Sequence, residues 1–132
     1  MDIALIAHDG KKTELVTFVL NNKELFEGVV MHATNTTGKF LENAGFTVKK
    51  VLSGPMGGDA QIAALVAEKQ IEVVFFFRDP LDRHPHEPDV QMLMRLCDVH
   101  NIPLATNPAA AKLILSAMKG QFIEAKNENK SS

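Results

Sequence analysis

A chain of 132 residues is long enough for one domain with its own hydrophobic core. Its 45% hydrophobic and 23% charged residues are ordinary globular proportions, and a net charge of −2 leaves no basic excess to suggest nucleic acid. A single cysteine, Cys97, excludes a disulfide framework; no apolar run approaches the ~18 residues of a membrane span; and "MDIALIAHDG" lacks the charged start of a signal peptide, so a cytoplasmic location is expected.

Ile3–Ala7 is a short apolar run and reads as a first strand. Over Lys12–Leu20, Leu15, Phe18 and Val19 recur at helical spacing, so a helix follows. Val29–Ala33 reads as the second strand. Thr36–Glu42 reads as a helix that stops at Gly45. Phe46–Leu52 is a third strand, partly exposed because it carries Lys49 and Lys50. Asp59–Lys69 places Ile62, Leu65 and Val66 on one helical face. Ile71–Phe77, "IEVVFFF", is nearly all apolar, as a strand covered on both faces should be. In Pro88–His100 the residues Val90, Leu93, Met94 and Cys97 form one helical stripe, which makes Cys97 a core residue rather than a nucleophile. Ile102–Ala105 is a fifth strand and Ala109–Met118 a last helix. The domain is expected over residues 1–118, with residues 119–132 a polar C-terminal tail that frays.

Strand and helix alternate five times, which predicts an α/β fold: a single domain built on a five-stranded parallel sheet with helices on both faces. Such sheets bind ligands at the carboxyl ends of their strands. The segments that follow the strands are "HDGKK", "TNTTGK", "SGPMGGD", "RDPLDRHPHEPD" and "TN". Glycines, hydroxyls and ionisable groups gather there, whereas "NNKELFEG", "ENAG", "AEKQ" and "HN" at the opposite edge read as connectors.

Within that edge "TNTTG", Thr34 to Gly38, precedes a helix. Taken alone, Thr36 or Thr37 reads first as an N-cap and second as a hydroxyl donor to an anion at the helix start. "SGPMGG" also leads into a helix, where Ser53 and the Gly54 N–H would complete an anion cradle; it is neither a Walker A loop nor a GxGxxG fingerprint. Lys12 reaches the same edge. So do the carboxylates Asp9, Asp59, Asp79 and Asp89, and each has an ordinary explanation as a cap, a turn residue or a first-turn acid. Gathered at one edge they suit general-base chemistry. The acid that ends a phosphate-cradling loop, Asp59, is the anomaly, since it would repel the anion that the loop attracts. In "HPHEPD" the residues His84, His86, Glu87 and Asp89 are metal-ligand types without metal-site spacing, so no metal is expected. His8 reads either as a donor to a substrate oxygen or as a satisfied core histidine.

At these loops the chain resembles the methylglyoxal synthases. The matching segments are "ALIAHDGKK", "HATNTTGK", "SGPMGGDAQIAAL", "FFFRDPLDRHPHEPDV" and "RLCDVHNIPLATN", in the family's order from about Ile3 to Asn107. The resemblance implies a five-stranded parallel α/β fold of Rossmann- or flavodoxin-type layering. It implies a carbon–oxygen lyase that converts dihydroxyacetone phosphate to methylglyoxal and inorganic phosphate through an enediolate, without a cofactor. It makes Asp59 the general base, with Asp79, His86 and Asp89 as further catalytic residues and Asp89 the favoured auxiliary. Lys12, Thr34, Thr36, Thr37, Ser53 and Gly54 would hold the phosphate, His8 and His86 would contact substrate oxygens, and Asp9 would line the cleft. A homohexamer inhibited by inorganic phosphate is also implied.

Two departures stand against the family pattern. Asn35 replaces a usual glycine, and asparagine is the residue best able to do so at a positive φ. The only arginines are Arg78, Arg83 and Arg95, so the C-terminal arginine that in some members reaches a neighbouring subunit is absent. Two other readings compete with the lyase. A regulatory module that senses phosphate or a nucleotide would need the cradles but not the carboxylates. A metal-dependent hydrolase would have to be built on His84 and His86.

Overall fold

The computed structural model describes residues 1–82 and 87–131. The strands are β1 (Asp2–Ala7), β2 (Val30–Thr34), β3 (Val48–Val51), β4 (Val73–Phe77) and β5 (Leu104–Ala105). Between and after them run α1 (Lys12–Asn21), α2 (Lys23–Phe26), α3 (Asn35–Asn43), α4 (Gly58–Ala67), α5 (Glu87–Val99), α6 (Pro108–Ala117) and α7 (Lys119–Ser131). All strand pairs are parallel, in the order β3-β2-β1-β4-β5. The chain winds outward from β1 to β3, then crosses back to β4, so the winding reverses at β1 and opens a crevice at the carboxyl edge.

The period-two pleat sorts the strand residues into two cores. Ile3, Leu5, Phe75 and Phe77 pack on one face with Leu15 and Phe18 of α1, Leu41 of α3 and Leu115 of α6. Ala4, Ile6, Val74 and Phe76 pack on the other with Ile62 and Val66 of α4 and Val90, Leu93 and Cys97 of α5. Helices therefore cover both faces, as the alternation predicts. The apolar "VVFFF" of β4 is buried throughout, flanked by β1 and β5. β3 is an edge strand, and its exposed Lys49 and Lys50 suit an edge. Cys97 is buried, and that burial, with a smaller contribution from Asp98, raises its thiol pKa to about 11. In native protein at pH 8 iodoacetamide is expected to leave Cys97 unmodified, with full labelling after denaturation; rapid native labelling would contradict its core position.

Two expectations change. "NNKELFEG", read as a connector, contains the single turn of α2, whose Phe26 is fully buried. The frayed tail expected from residue 119 is instead the helix α7. Its Phe122 is 0% exposed, with its ring 5.6 Å from that of Phe26, edge to face. Ala125 is buried in the same cluster, and a side chain at Gly28 would collide with the backbone of Lys126. The driving force is the apolar stripe of Met118, Phe122 and Ala125, which the polar composition of the segment conceals. Phe122→Ala is expected to cost ~3–5 kcal/mol in urea unfolding, the range for a buried aromatic. A loss below ~0.5 kcal/mol, typical of surface sites, would mean that α7 is undocked.

Candidate functional site

The carboxyl edge of the sheet encloses a cavity of about 160 Å³. Its walls are the end of β1 (Ile6, Ala7) with His8, Asp9 and Lys12; Thr34 and Thr36 at the β2–α3 junction; Ser53, Gly54 and Pro55 after β3; and Asp59. This volume lies below the roughly 300–1,000 Å³ of pockets for drug-sized ligands and suits a small metabolite.

One side of the cavity is an anion cradle. Lys12, at the start of α1, is 6% exposed, and its Nζ donates to the Ala7 carbonyl and to Asp9 Oδ1, both at 2.8 Å. An ammonium has three protons, so after these two bonds one remains for a ligand. The Asp9 side chain is 97% exposed and its pull on Lys12 is screened by solvent. The N-terminus of α3 faces the same space through Thr34 and Thr36, and its dipole favours an anion. Thr34 is the N-cap of α3, with extended backbone and no side-chain capping bond. The cap is therefore neither Thr36 nor Thr37. Asn35 becomes the first helical residue and is not among the described residues with positive φ, so its replacement of a glycine strains nothing.

Asp59 lines the same cavity. The N-cap of α4 is Gly57, at φ 102°, and Asp59 lies two residues beyond it, 0% exposed, on the cavity wall. Asp59 is thus not the cap that its place in the sequence suggests. Gly58 has no room for a side chain, because a Cβ there would sit 2.7 Å from the Leu52 carbonyl carbon. The turn is held by the Met56 and Gly58 N–H groups, which donate to the Ser53 carbonyl at 3.0 and 2.9 Å.

His8 is a further part of the wall. Its Nδ1 accepts the Asp79 N–H at 2.8 Å, so Nδ1 is unprotonated and the neutral ring carries its proton on Nε2. The ring is 5% exposed and packs edge-on against Phe76 at 5.2 Å. A histidine fixed in this tautomer is a hydrogen-bond donor that brings no charge.

Of the residues expected at the site, the cavity gathers His8, Asp9, Lys12, Thr34, Thr36, Ser53, Gly54 and Asp59. It does not gather three others. Thr37 is fully buried behind the wall, where its hydroxyl accepts from the Ala7 N–H at 3.3 Å and from Thr34 Oγ1 at 3.2 Å. It ties α3 to the end of β1. Asp79 accepts the Leu81 N–H at 3.1 Å and closes its own turn, while its backbone N–H holds His8. Asp89 is half-buried in the first turn of α5, off the wall. His86, like His84, lies outside the described residues. The wall also contains Ile6, Ala7 and Pro55, which the sequence reading does not single out. Their only signal is adjacency, to His8 and to Gly54.

Fold and cavity together define a parallel α/β domain that presents a cradle for a small anion and, on the same cavity wall, a buried acid. The model of the MGS-like domain family matches residues 14–106. A methylglyoxal synthase of Carboxydothermus hydrogenoformans is 55% identical over 119 residues, covering 89% of this chain and 98% of that protein. One of Moorella thermoacetica is 53% identical over 120 residues, covering 90% and 94%. The crystal structure of methylglyoxal synthase from Elizabethkingia anophelis superposes with a TM-score of 0.82 at 46% identity, covering 87% of this chain and 76% of that one. The chain belongs to the methylglyoxal synthase family.

Proposed function

We propose that the protein is a carbon–oxygen lyase that converts dihydroxyacetone phosphate to methylglyoxal and inorganic phosphate through an enediolate. The observation that carries this reading is the fully buried Asp59 on the wall of the same cavity, of about 160 Å³, that the anion cradle lines. A module that only senses phosphate gains nothing from a buried acid beside its ligand, and the burial costs it stability. An enzyme that removes a proton at the far end of a phosphate ester needs that arrangement.

In this mechanism Lys12, Thr34, Thr36, Ser53 and the Gly54 N–H hold the phosphate, and the hydroxymethyl carbon lies at Asp59. Asp59 takes the proton and the C–H electron pair becomes the enediolate. His8, a neutral donor through Nε2, stabilises the oxygen on which charge develops. The C–O bond to phosphate then breaks, phosphate leaves with the electron pair, and the enol product tautomerises to methylglyoxal. Departure requires that bond to lie out of the enediol plane, in overlap with the π system. The cradle thereby selects elimination over isomerisation. On family resemblance alone, His86 is assigned a hydrogen bond to a substrate oxygen and Asp89 the role of auxiliary catalyst.

The same resemblance supports a cytoplasmic homohexamer that inorganic phosphate inhibits and that works without metal. Among the described residues no helix is long and apolar enough to cross a membrane. The test is purified protein incubated with dihydroxyacetone phosphate in chelator, with methylglyoxal trapped as it forms. No product, together with retained phosphate binding, would favour a sensor.

A further inference from the structure

We infer that Gln61 is a positioning residue for the proposed reaction, tying the phosphate cradle to the helix that carries Asp59. The inference rests on the lyase reading and deepens it. Gln61 Oε1 accepts the Leu52 N–H at 2.7 Å, across nine residues. Leu52 follows β3, one residue beyond Val51, the last residue of β3 paired to β2. The Leu52 carbonyl accepts the Asn35 N–H at 3.4 Å and is packed against Gly58. The residue that enters the cradle is therefore held through both its N–H and its carbonyl, and by contact.

The consequence is geometric. Ser53 directly follows Leu52, and Asp59 lies two residues before Gln61. The side-chain bond closes a ring that contains both the phosphate-holding residue and the base. Gln61 does not line the cavity, so it touches no substrate and acts only through this separation. Proton removal depends on the separation more steeply than phosphate binding does, because the cradle's own groups remain intact when the ring opens. A misplacement of ~1 Å can cost ~10²-fold in rate. The backbone bonds to the Ser53 carbonyl persist without Gln61, so a smaller loss is expected.

The experiment compares Gln61→Met, which matches the side chain's length without an acceptor, with Gln61→Glu, which keeps one. Turnover and KM for dihydroxyacetone phosphate, the Kd of inorganic phosphate and the melting temperature are measured for both variants and for the wild type. Gln61→Met is expected to lower kcat on the order of 10-fold, with phosphate Kd unchanged within about 3-fold, and Gln61→Glu to recover most of the turnover. A wild-type kcat in Gln61→Met, with or without a lower melting temperature, would overturn the inference. So would equal losses of phosphate binding and turnover, or a Gln61→Glu variant as slow as Gln61→Met. A wild-type protein that makes no methylglyoxal would instead bring down the functional reading, and this inference with it.

Discussion

Asp59→Asn is expected to lower turnover by ~10²–10⁴-fold while the fold and phosphate binding persist, the range typical of lost general-base catalysis. The substitution keeps shape and volume at a site with 0% exposure, so it opens no cavity. It also removes no cap, because Gly57 occupies the N-cap of α4. What disappears is the capacity to take a proton. A first-turn acid gains ~0.3–1 kcal/mol from the helix dipole, so no large loss of stability is expected, and relief of the buried acid's desolvation acts in the opposite direction. A phosphate-bearing enediolate analogue should still bind, since Lys12, Thr34 and Ser53 are unaltered. The measurements are kcat, the analogue's Kd and the melting temperature. An Asp59→Asn enzyme with near-normal turnover would remove Asp59 as the base and send the search to Asp89.

The class of fold was legible because each strand announces itself by composition. "IEVVFFF" could hardly be anything but an interior strand, and it is one. The site was largely legible for a topological reason. In a parallel sheet every strand's carboxyl end faces the same edge, so residues from Ala7 to Asp59 converge without any knowledge of side-chain directions. Those directions are where the sequence falls silent. Thr34, Thr36 and Thr37 look alike as text, yet Thr34 and Thr36 meet the cavity, and Thr37 turns inward to the β1 backbone because its Cβ faces the core. Asp79 looks like a fourth active-site acid until its carboxylate is seen to close the turn at Pro80, leaving its N–H to set the tautomer of His8. Gln61 carries no motif at all; its acceptor matters only because the loop folds back to present the Leu52 N–H. The helix α7 did leave a signal, Met118, Phe122 and Ala125 at helical spacing, but it lies within a segment whose polar residues outnumber it.

The paired glycines yield the second large effect, because the two are required for different reasons. Gly57 has φ 102° and open space around the position of a Cβ. Gly57→Ala therefore incurs only backbone strain, ~1–2 kcal/mol for an L-residue in the left-handed region. Gly58 is the reverse, with helical backbone and no space. A Cβ there would lie 2.7 Å from the Leu52 carbonyl carbon and 2.9 Å from that of Ser53, and both are backbone atoms that cannot rotate aside. Gly58→Ala must push the strand end and the helix apart. Overpacking of this kind costs ~1–3 kcal/mol, so a domain of ordinary stability still folds. The displacement falls on the line between Ser53 and Asp59, where ~1 Å is worth ~10²-fold in rate. Gly57→Ala is thus expected to lower the urea midpoint with turnover within a few-fold of wild type, whereas Gly58→Ala lowers both and loses turnover by about 10²-fold. If the two variants lost turnover equally, the separation of cradle and base would not be what these glycines protect, and the strained turn at Gly57 would have to be given that role.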